Sequence, residues 1–256
     1  MRIVIKIGTS TITHPAGRLN IRQMEALCKV LSDLKNAGNE VILVSSGAIG
    51  MGVGKLRLGK RPADVPTKQA AAAVGQCELM YTYDKLFSEY RHTVAQILLT
   101  ADDIADPVRH ENFRNTIQRL LELDAIPIVN ENDTISVTEL MFTDNDELSG
   151  LVAAMMGAEA LVILSNIDGI YDGSPSDPAS QVIRRVAPGR DLSQYIDTAR
   201  SSRGRGGMTT KSRISSRVAG EGIEVIIANG KKENILPDLL RENSSAICTR
   251  FIPSAN

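Results

Sequence analysis

Six compact runs of apolar, largely β-branched residues recur along the chain: RIVIKI, EVILVSS, TVAQILL, AIPIVNE, ALVILSN and IEVIIAN. Continuous apolar runs of this length suit strands buried on both faces, so they predict a mostly parallel sheet covered by helices. Between them the pattern changes to helical spacing. After Asn20, the residues Ile21, Met24, Leu27, Leu31 and Leu34 fall along one face, with Gln23 placed to complete a capping box and Gly38 to end the helix. Further helical patterns run from about Thr67 to Tyr90 and from about Glu111 to Leu123. A fourth starts inside FTDNDELSG, residues 142–150, and another follows Gly207 and ends near Gly222. Strand alternating with helix defines the α/β class.

In open α/β sheets, ligands bind outside the carboxyl ends of the strands, where helix N-termini and free N–H groups converge. Six polar stretches occupy such ends: KIGTS, SSGAIGMG, LLTADD, NEND, SNIDGIYDG and ANG. The segment from Asp172 to Arg205 is rich in Ser, Pro, Gly and Arg, with one strand-like run, QVIRRVA, inside it. A connection of that length reads as a functional excursion.

Composition narrows the partners. At 256 residues the chain accommodates one large α/β domain or two small ones, and 43% apolar residues suffice for a sizeable core. The 29 basic and 30 acidic side chains leave a net charge of -1, which argues against a protein that wraps nucleic acid or coats an anionic membrane. No apolar run approaches the roughly 20 residues of a membrane span. The start, MRIVIKIGTS, has a lysine where a signal peptide needs an unbroken apolar core, so a cytoplasmic protein is expected. Cys28, Cys77 and Cys248 lack CxxC spacing and are expected as buried thiols; His14, His92 and His110 lack HExxH spacing and read as surface or packing residues.

The candidate chemistry points to anions. VSSGAIGMGVG fails the GxGxxG fingerprint, and nothing satisfies GxxxxGK[ST]. It reads either as a string of unhindered N–H groups able to approach an anion or as a plain turn. Lys6, flanked by Ile5 and Ile7 in a core strand, either snorkels at an edge or faces a polyanion, because burial of an unpaired ammonium is costly. Gly8, Thr9 and Ser10 follow with N–H and hydroxyl groups suited to phosphate oxygens, which favours the polyanion. In SRGRGGMTTKSR, residues 202–213, glycines precede a helix whose first turn, Met208 to Lys211, favours an anion and adds a lysine charge. The rival, an RGG-like RNA contact, has a single copy in a chain of balanced charge. Lys55, Arg57, Lys60 and Arg61 read as a solvated or mobile loop, with a loop over a substrate site as the alternative, and SNIDGIYD as a bare turn or a cup for a planar base beside Tyr171. FTDNDELSG is not a calcium loop: counted from Asp144, the fifth position is Leu148 and the sixth is Ser149.

Taken in order, KIGTS, VSSGAIGMG, AAVGQ, IPIVNENDTI, FTDNDELSGLVA, LSNIDGIYD and GRGGMTTK resemble the glutamate 5-kinases of the amino acid kinase family. The resemblance spans almost the whole chain. It implies a single amino acid kinase domain over 1–256, a three-layer α/β/α sandwich with a glutamate-binding lobe at about 1–155 and an ATP-binding lobe at about 156–256. The implied reaction transfers the ATP γ-phosphoryl group to the γ-carboxylate of L-glutamate, the first step of proline biosynthesis. Carried over, Lys6 and Lys211 contact the transferring group and Asp146 organises them. Ser46, Gly47, Ala48, Asp133 and Asn145 bind glutamate. Gly8, Thr9, Ser165, Asn166 and the run Arg205, Gly206, Gly207, Met208, Thr209, Thr210 and Lys211 lie on ATP. Mg²⁺ is expected mainly on ATP oxygens, with no dedicated protein metal site. Two positions depart from the family pattern, which often has Thr-Asp at Ser165-Asn166 and Thr at Arg205. The ending FIPSAN leaves no room for the PUA domain of many relatives, so a short form is expected. The resemblance also implies proline feedback and a homodimer or homotetramer, with neither nucleic acid nor membrane as partner. The alternatives are an acetylglutamate, aspartate or carbamate kinase, a non-catalytic amino acid and nucleotide sensor, or an RNA-binding regulator using residues 200–213.

Overall fold

The computed structural model describes residues 1–14, 18–136, 145–196, 207–241 and 244–254. In chain order the elements are β1 (Arg2–Ile7), α1 (Thr9–Ile12), α2 (Ile21–Asn36), β2 (Glu40–Val44), α3 (Ala48–Lys55), α4 (Val65–Ser88), β3 (Val94–Leu99), α5 (Ala101–Ala105) and α6 (Pro107–Glu122). There follow β4 (Ile126–Glu131), α7 (Asn145–Met155), β5 (Ala160–Ser165), β6 (Arg185–Val186), α8 (Ser193–Ile196), α9 (Met208–Gly220), β7 (Glu224–Asn229), α10 (Ile235–Leu239) and β8 (Cys248–Phe251). All six apolar runs form strands. The chain divides into two compact units, one of Met1–Lys6 with Thr143–Asn256 and the other of Ile7–Phe142.

In the unit Ile7–Phe142, β4 lies between β3 and β2 and is parallel to both, with Leu98 opposite Asn130 and Leu43 opposite Ile128. Every residue of β4 is buried, as its unbroken apolar run requires. On α2, Asn20 accepts the Gln23 N–H at 3.2 Å, and Met24, Leu27, Leu31 and Leu34 are buried. Ile21 is not part of that face; it is 64% exposed. A helical side chain leans toward the N-terminus, so one at the first helical position covers ground before the helix meets the core. Gly38, at φ +85°, supplies the left-handed residue after the helix end. Two helices start earlier than their apolar spacing suggests, because an Asp cap and a proline come first: Asp64 accepts the Thr67 N–H at 2.9 Å, and Asp106 accepts those of Val108 and Arg109.

The glycine-rich stretch after β2 is helix, not an open loop. Gly47, at φ +107°, caps α3, and Gly50, Gly52 and Gly54 lie inside it. A Cβ on Gly52 would run into the Ala71 carbonyl, and one on Gly75 into the Ala48 carbonyl. These glycines let α3 and α4 touch backbone to backbone. Cys28 and Cys248 are buried as expected, whereas Cys77 is exposed, two positions past Gly75 and so turned off the face that carries the close contact. Lys55 is the last residue of α3 rather than loop, and it pairs with Glu78; Arg57, Lys60 and Arg61 stand in solvent beyond it.

In the other unit the strands run β1, β5, β7, β8, β6. The pairs β5–β7 and β6–β8 are parallel, and β7–β8 is antiparallel, with Ile227 opposite Thr249. QVIRRVA contributes only the two residues of β6. β1 is tied to the start of β5: the Arg2 N–H donates to the Glu159 carboxylate at 2.9 Å, and the Glu159 N–H donates to the Arg2 carbonyl at 2.9 Å. Among the described residues, no helix is long and apolar enough to cross a membrane.

Candidate functional site

Three charged side chains converge inside the unit formed by Met1–Lys6 and Thr143–Asn256. Lys6 projects from β1, whose remaining residues from Ile3 onward are fully buried. Its Nζ lies 2.6 Å from Asp146 Oδ1. Asp146 is the second residue of α7, where a carboxylate complements the positive end of the helix dipole. Its other oxygen, Oδ2, accepts a hydrogen bond of 2.7 Å from the Nζ of Lys211, in the first turn of α9. The side chains are 4%, 0% and 11% exposed for Lys6, Asp146 and Lys211. One carboxylate thus binds two ammonium groups away from water. Charges buried this way rarely raise stability over an apolar replacement, so their presence asks for a chemical reason. Two cations on one anion make a locally positive centre, held in advance, suited to an anion that gains charge during a reaction.

The other predicted positions fall as follows. Gly8 precedes α1 in extended backbone, half-buried, and Thr9 opens that helix, exposed. Ser165 ends β5; it is buried, its carbonyl accepts the Gly230 N–H at 2.9 Å, and its hydroxyl lies 3.4 Å from Asn166 Oδ1. Asn166 is exposed. Gly207 caps α9 in extended backbone, and Met208, Thr209 and Thr210 form its first turn with Lys211, whose N–H donates to the Gly207 carbonyl at 3.2 Å. Arg205 and Gly206 lie outside the described residues, as do Phe142, Thr143 and Asp144. Asn145 opens α7 next to Asp146, half-buried. Ser46, Gly47 and Ala48 lead from β2 into α3, and Asp133 sits half-buried in the turn after β4; these four belong to the unit Ile7–Phe142.

Two polar clusters were not singled out from the sequence. At the ends of β5 and β7, Asp168 accepts from Asn229 Nδ2 at 2.9 Å and pairs with Lys232 Nζ at 2.8 Å. Burial pushes its carboxyl up, but the Lys232 and Asn229 contacts prevail and hold it below the usual carboxylate range. In the unit Ile7–Phe142, Asn130 of β4 donates to Gln76 Oε1 at 2.9 Å and accepts the Glu131 N–H at 2.9 Å, while Gln76 Nε2 donates to Gln96 Oε1 at 3.4 Å. Asn130 and Gln76 are both buried. AAVGQ and NEND carried these residues, but their pairing needs the fold.

The chain belongs to the amino acid kinase family, whose model matches residues 1–229. Within that family, it is 52% identical over 253 residues to the glutamate 5-kinase of Bacteroides thetaiotaomicron, a match covering 99% of this chain and 70% of that protein. To the glutamate 5-kinase of Clostridium perfringens it is 47% identical over 259 residues, covering 98% and 95%. Among solved structures, carbamate kinase from Giardia lamblia bound to AMP-PNP matches with a TM-score of 0.71 at 16% identity, over 99% of this chain and 98% of that one. The isopentenyl phosphate kinase of T. acidophilum matches at 0.67 and 15% identity, over 98% and 100%. Such identities establish the fold: a mostly parallel sheet flanked by helices, as the strand runs predicted.

Proposed function

We propose that this chain phosphorylates the γ-carboxylate of L-glutamate with ATP, giving γ-glutamyl phosphate and ADP, the first step toward proline. The observation that carries the reading is the buried pair of lysines held by Asp146, joined to similarity with glutamate 5-kinases over nearly the whole chain. A glutamate side chain, with a pKa of about 4.3, is ionised at neutral pH, so the reaction needs no general base. A carboxylate oxygen forms a bond to the γ-phosphorus, the bond from that phosphorus to the β,γ-bridging oxygen breaks, and ADP leaves with its electron pair. The obstacle is repulsion between two anions. Positioning and positive charge answer it. Lys6 and Lys211 meet the transferring group, and Asp146 keeps both ammonium groups in place.

Mg²⁺ enters with ATP as part of the substrate. Gly8, Thr9, Ser165, Asn166 and the run Arg205 to Lys211 take the nucleotide; Ser46, Gly47, Ala48, Asp133 and Asn145 take glutamate, with Asp133 matching the α-ammonium in charge. The glutamate role falls to about residues 1–155 and the nucleotide role to about 156–256. Proline shares the α-carboxylate and amine of glutamate and is the expected feedback inhibitor. The chain works in the cytoplasm as a homodimer or homotetramer, with no nucleic acid or membrane partner. The test is hydroxylamine trapping of acyl phosphate, with ATP and glutamate, acetylglutamate, aspartate or carbamate in turn, and with added proline. Hydroxamate from glutamate alone, suppressed by proline, is the expected result; product from another acceptor, or none from glutamate, overturns the assignment.

A further inference from the structure

We propose that Gly150 is a positioning residue for phosphoryl transfer: its missing side chain lets α7 and α9 approach closely enough for Asp146 to hold Lys211. The role in catalysis rests on the function proposed above. Gly150 lies in the middle of α7, where glycine costs about 1 kcal/mol of helix stability relative to alanine, so a packing reason is called for. The structure supplies one. A Cβ built on Gly150 would stand 2.9 Å from Ile214 Cγ2, 3.0 Å from Val218 Cγ2 and 3.4 Å from Arg217 Nη2, all on α9.

Those two methyl groups cannot swing aside. Each is bonded to a β-branched carbon, and such side chains keep a single strongly preferred rotamer in a helix. The helices themselves must yield to any side chain at position 150. Asp146 is four residues before Gly150 on α7, and Lys211 is three before Ile214 and seven before Val218 on α9, so both layers lie on one helix-to-helix face. The 2.7 Å contact between Asp146 and Lys211 is therefore set one turn away from the charges. Ile214 and Val218 are buried and Gly150 is likewise enclosed, so the interface has no slack to absorb a methyl group.

The test is Gly150→Ala, followed by the same substitution with Ile214→Leu and Val218→Ala, which remove the two obstructing methyl groups. In a crystal structure of Gly150→Ala, α7 and α9 should part by a few tenths of an ångström at position 150, with the Asp146 Oδ2 to Lys211 Nζ separation lengthened from 2.7 Å. With glutamate and ATP, kcat should fall about 3- to 10-fold, since a misplacement of about 1 Å costs about 100-fold and this one is smaller, while KM for glutamate stays within about twofold. The triple variant should regain kcat to within about 1.5-fold of the parent, an outcome that general loss of folding would not produce. An unchanged separation in Gly150→Ala, or a lost kcat that the triple variant does not restore, overturns the proposal. If the parent chain makes no acyl phosphate but the separation still lengthens, the positioning role stands and the function assigned above falls.

Discussion

The two compact units each enclose a polar cluster, and the clusters differ in kind. In the unit Ile7–Phe142, the buried Asn130 and Gln76 are neutral amides whose donors meet acceptors, and Gln76 reaches on to the exposed Gln96. In the other unit, Lys6, Asp146 and Lys211 hold full charges in a nearly dry interior. Neutral amides are satisfied by one another, and losing one costs the pairing of its partner. A buried ion triad carries a large desolvation cost whatever its geometry, so it persists where its charge is used. The contrast separates a cluster whose groups satisfy one another from one whose buried charge calls for a use, the use proposed above.

The largest expected effect comes from Asp146→Ala, which leaves two buried ammonium groups without their shared carboxylate. Urea unfolding should show a loss of about 3–5 kcal/mol, and activity should vanish; stability equal to that of the parent would mean that the triad is not buried as described. Lys211→Ala comes next, with kcat down about 10²- to 10³-fold and KM for glutamate nearly unchanged, because its contact strengthens as charge moves in transfer. A raised KM at full kcat would instead assign Lys211 to binding. Gln76→Ala should cost about 1–3 kcal/mol through the lost bond from Asn130 Nδ2, with a much smaller fall in kcat than Lys211→Ala gives. Equal kinetic damage from both would erase the distinction between the clusters.

The smallest effect concerns pH. The folded Asp168 carboxyl lies below its unfolded value of about 3.9, so its stabilising contribution is fully present above that value and is lost as pH falls through the depressed folded one. Stability of Asp168→Asn, measured in urea from about pH 3 to pH 7, should fall less steeply on the acid side than that of the parent. A slope as steep as the parent's would place the acid sensitivity elsewhere.

Much of the sheet could be read in advance, because a doubly buried strand needs an unbroken apolar run and five of the six runs are such strands; the sixth, β3, ends the sheet and exposes Gln96. β8 escaped: CTRF carries an arginine and a threonine, and Thr249 spends its hydroxyl on the Ile170 N–H at 2.8 Å, a contact 79 residues away. The misread glycine stretch has the same cause. Gly52 is small because Ala71 is close, and nothing local announces a neighbour on another helix. At the charged centre, Lys6 was suspicious as a cation within an apolar strand, and family resemblance supplied Asp146 and Lys211 as its partners. Gly150 gave no comparable signal, since a glycine amid LSGLVAAMMGA reads as one small residue among several.

The division of the chain has a consequence for its synthesis. Residues 7–142 can compact as soon as they emerge, but the strand at Met1–Lys6 packs with residues from 143 onward. At about 5–20 residues per second, Lys6 waits roughly 10–40 s for Lys211 to be translated. For that interval RIVIKI lacks its neighbour β5, and an apolar, β-prone strand with an unfilled side is open to pairing with other nascent chains. A lysine in its middle opposes such pairing, as charged gatekeepers do in aggregation-prone strands. Until Asp146 has been made, the ammonium that it later holds stands as such a gatekeeper in its own strand.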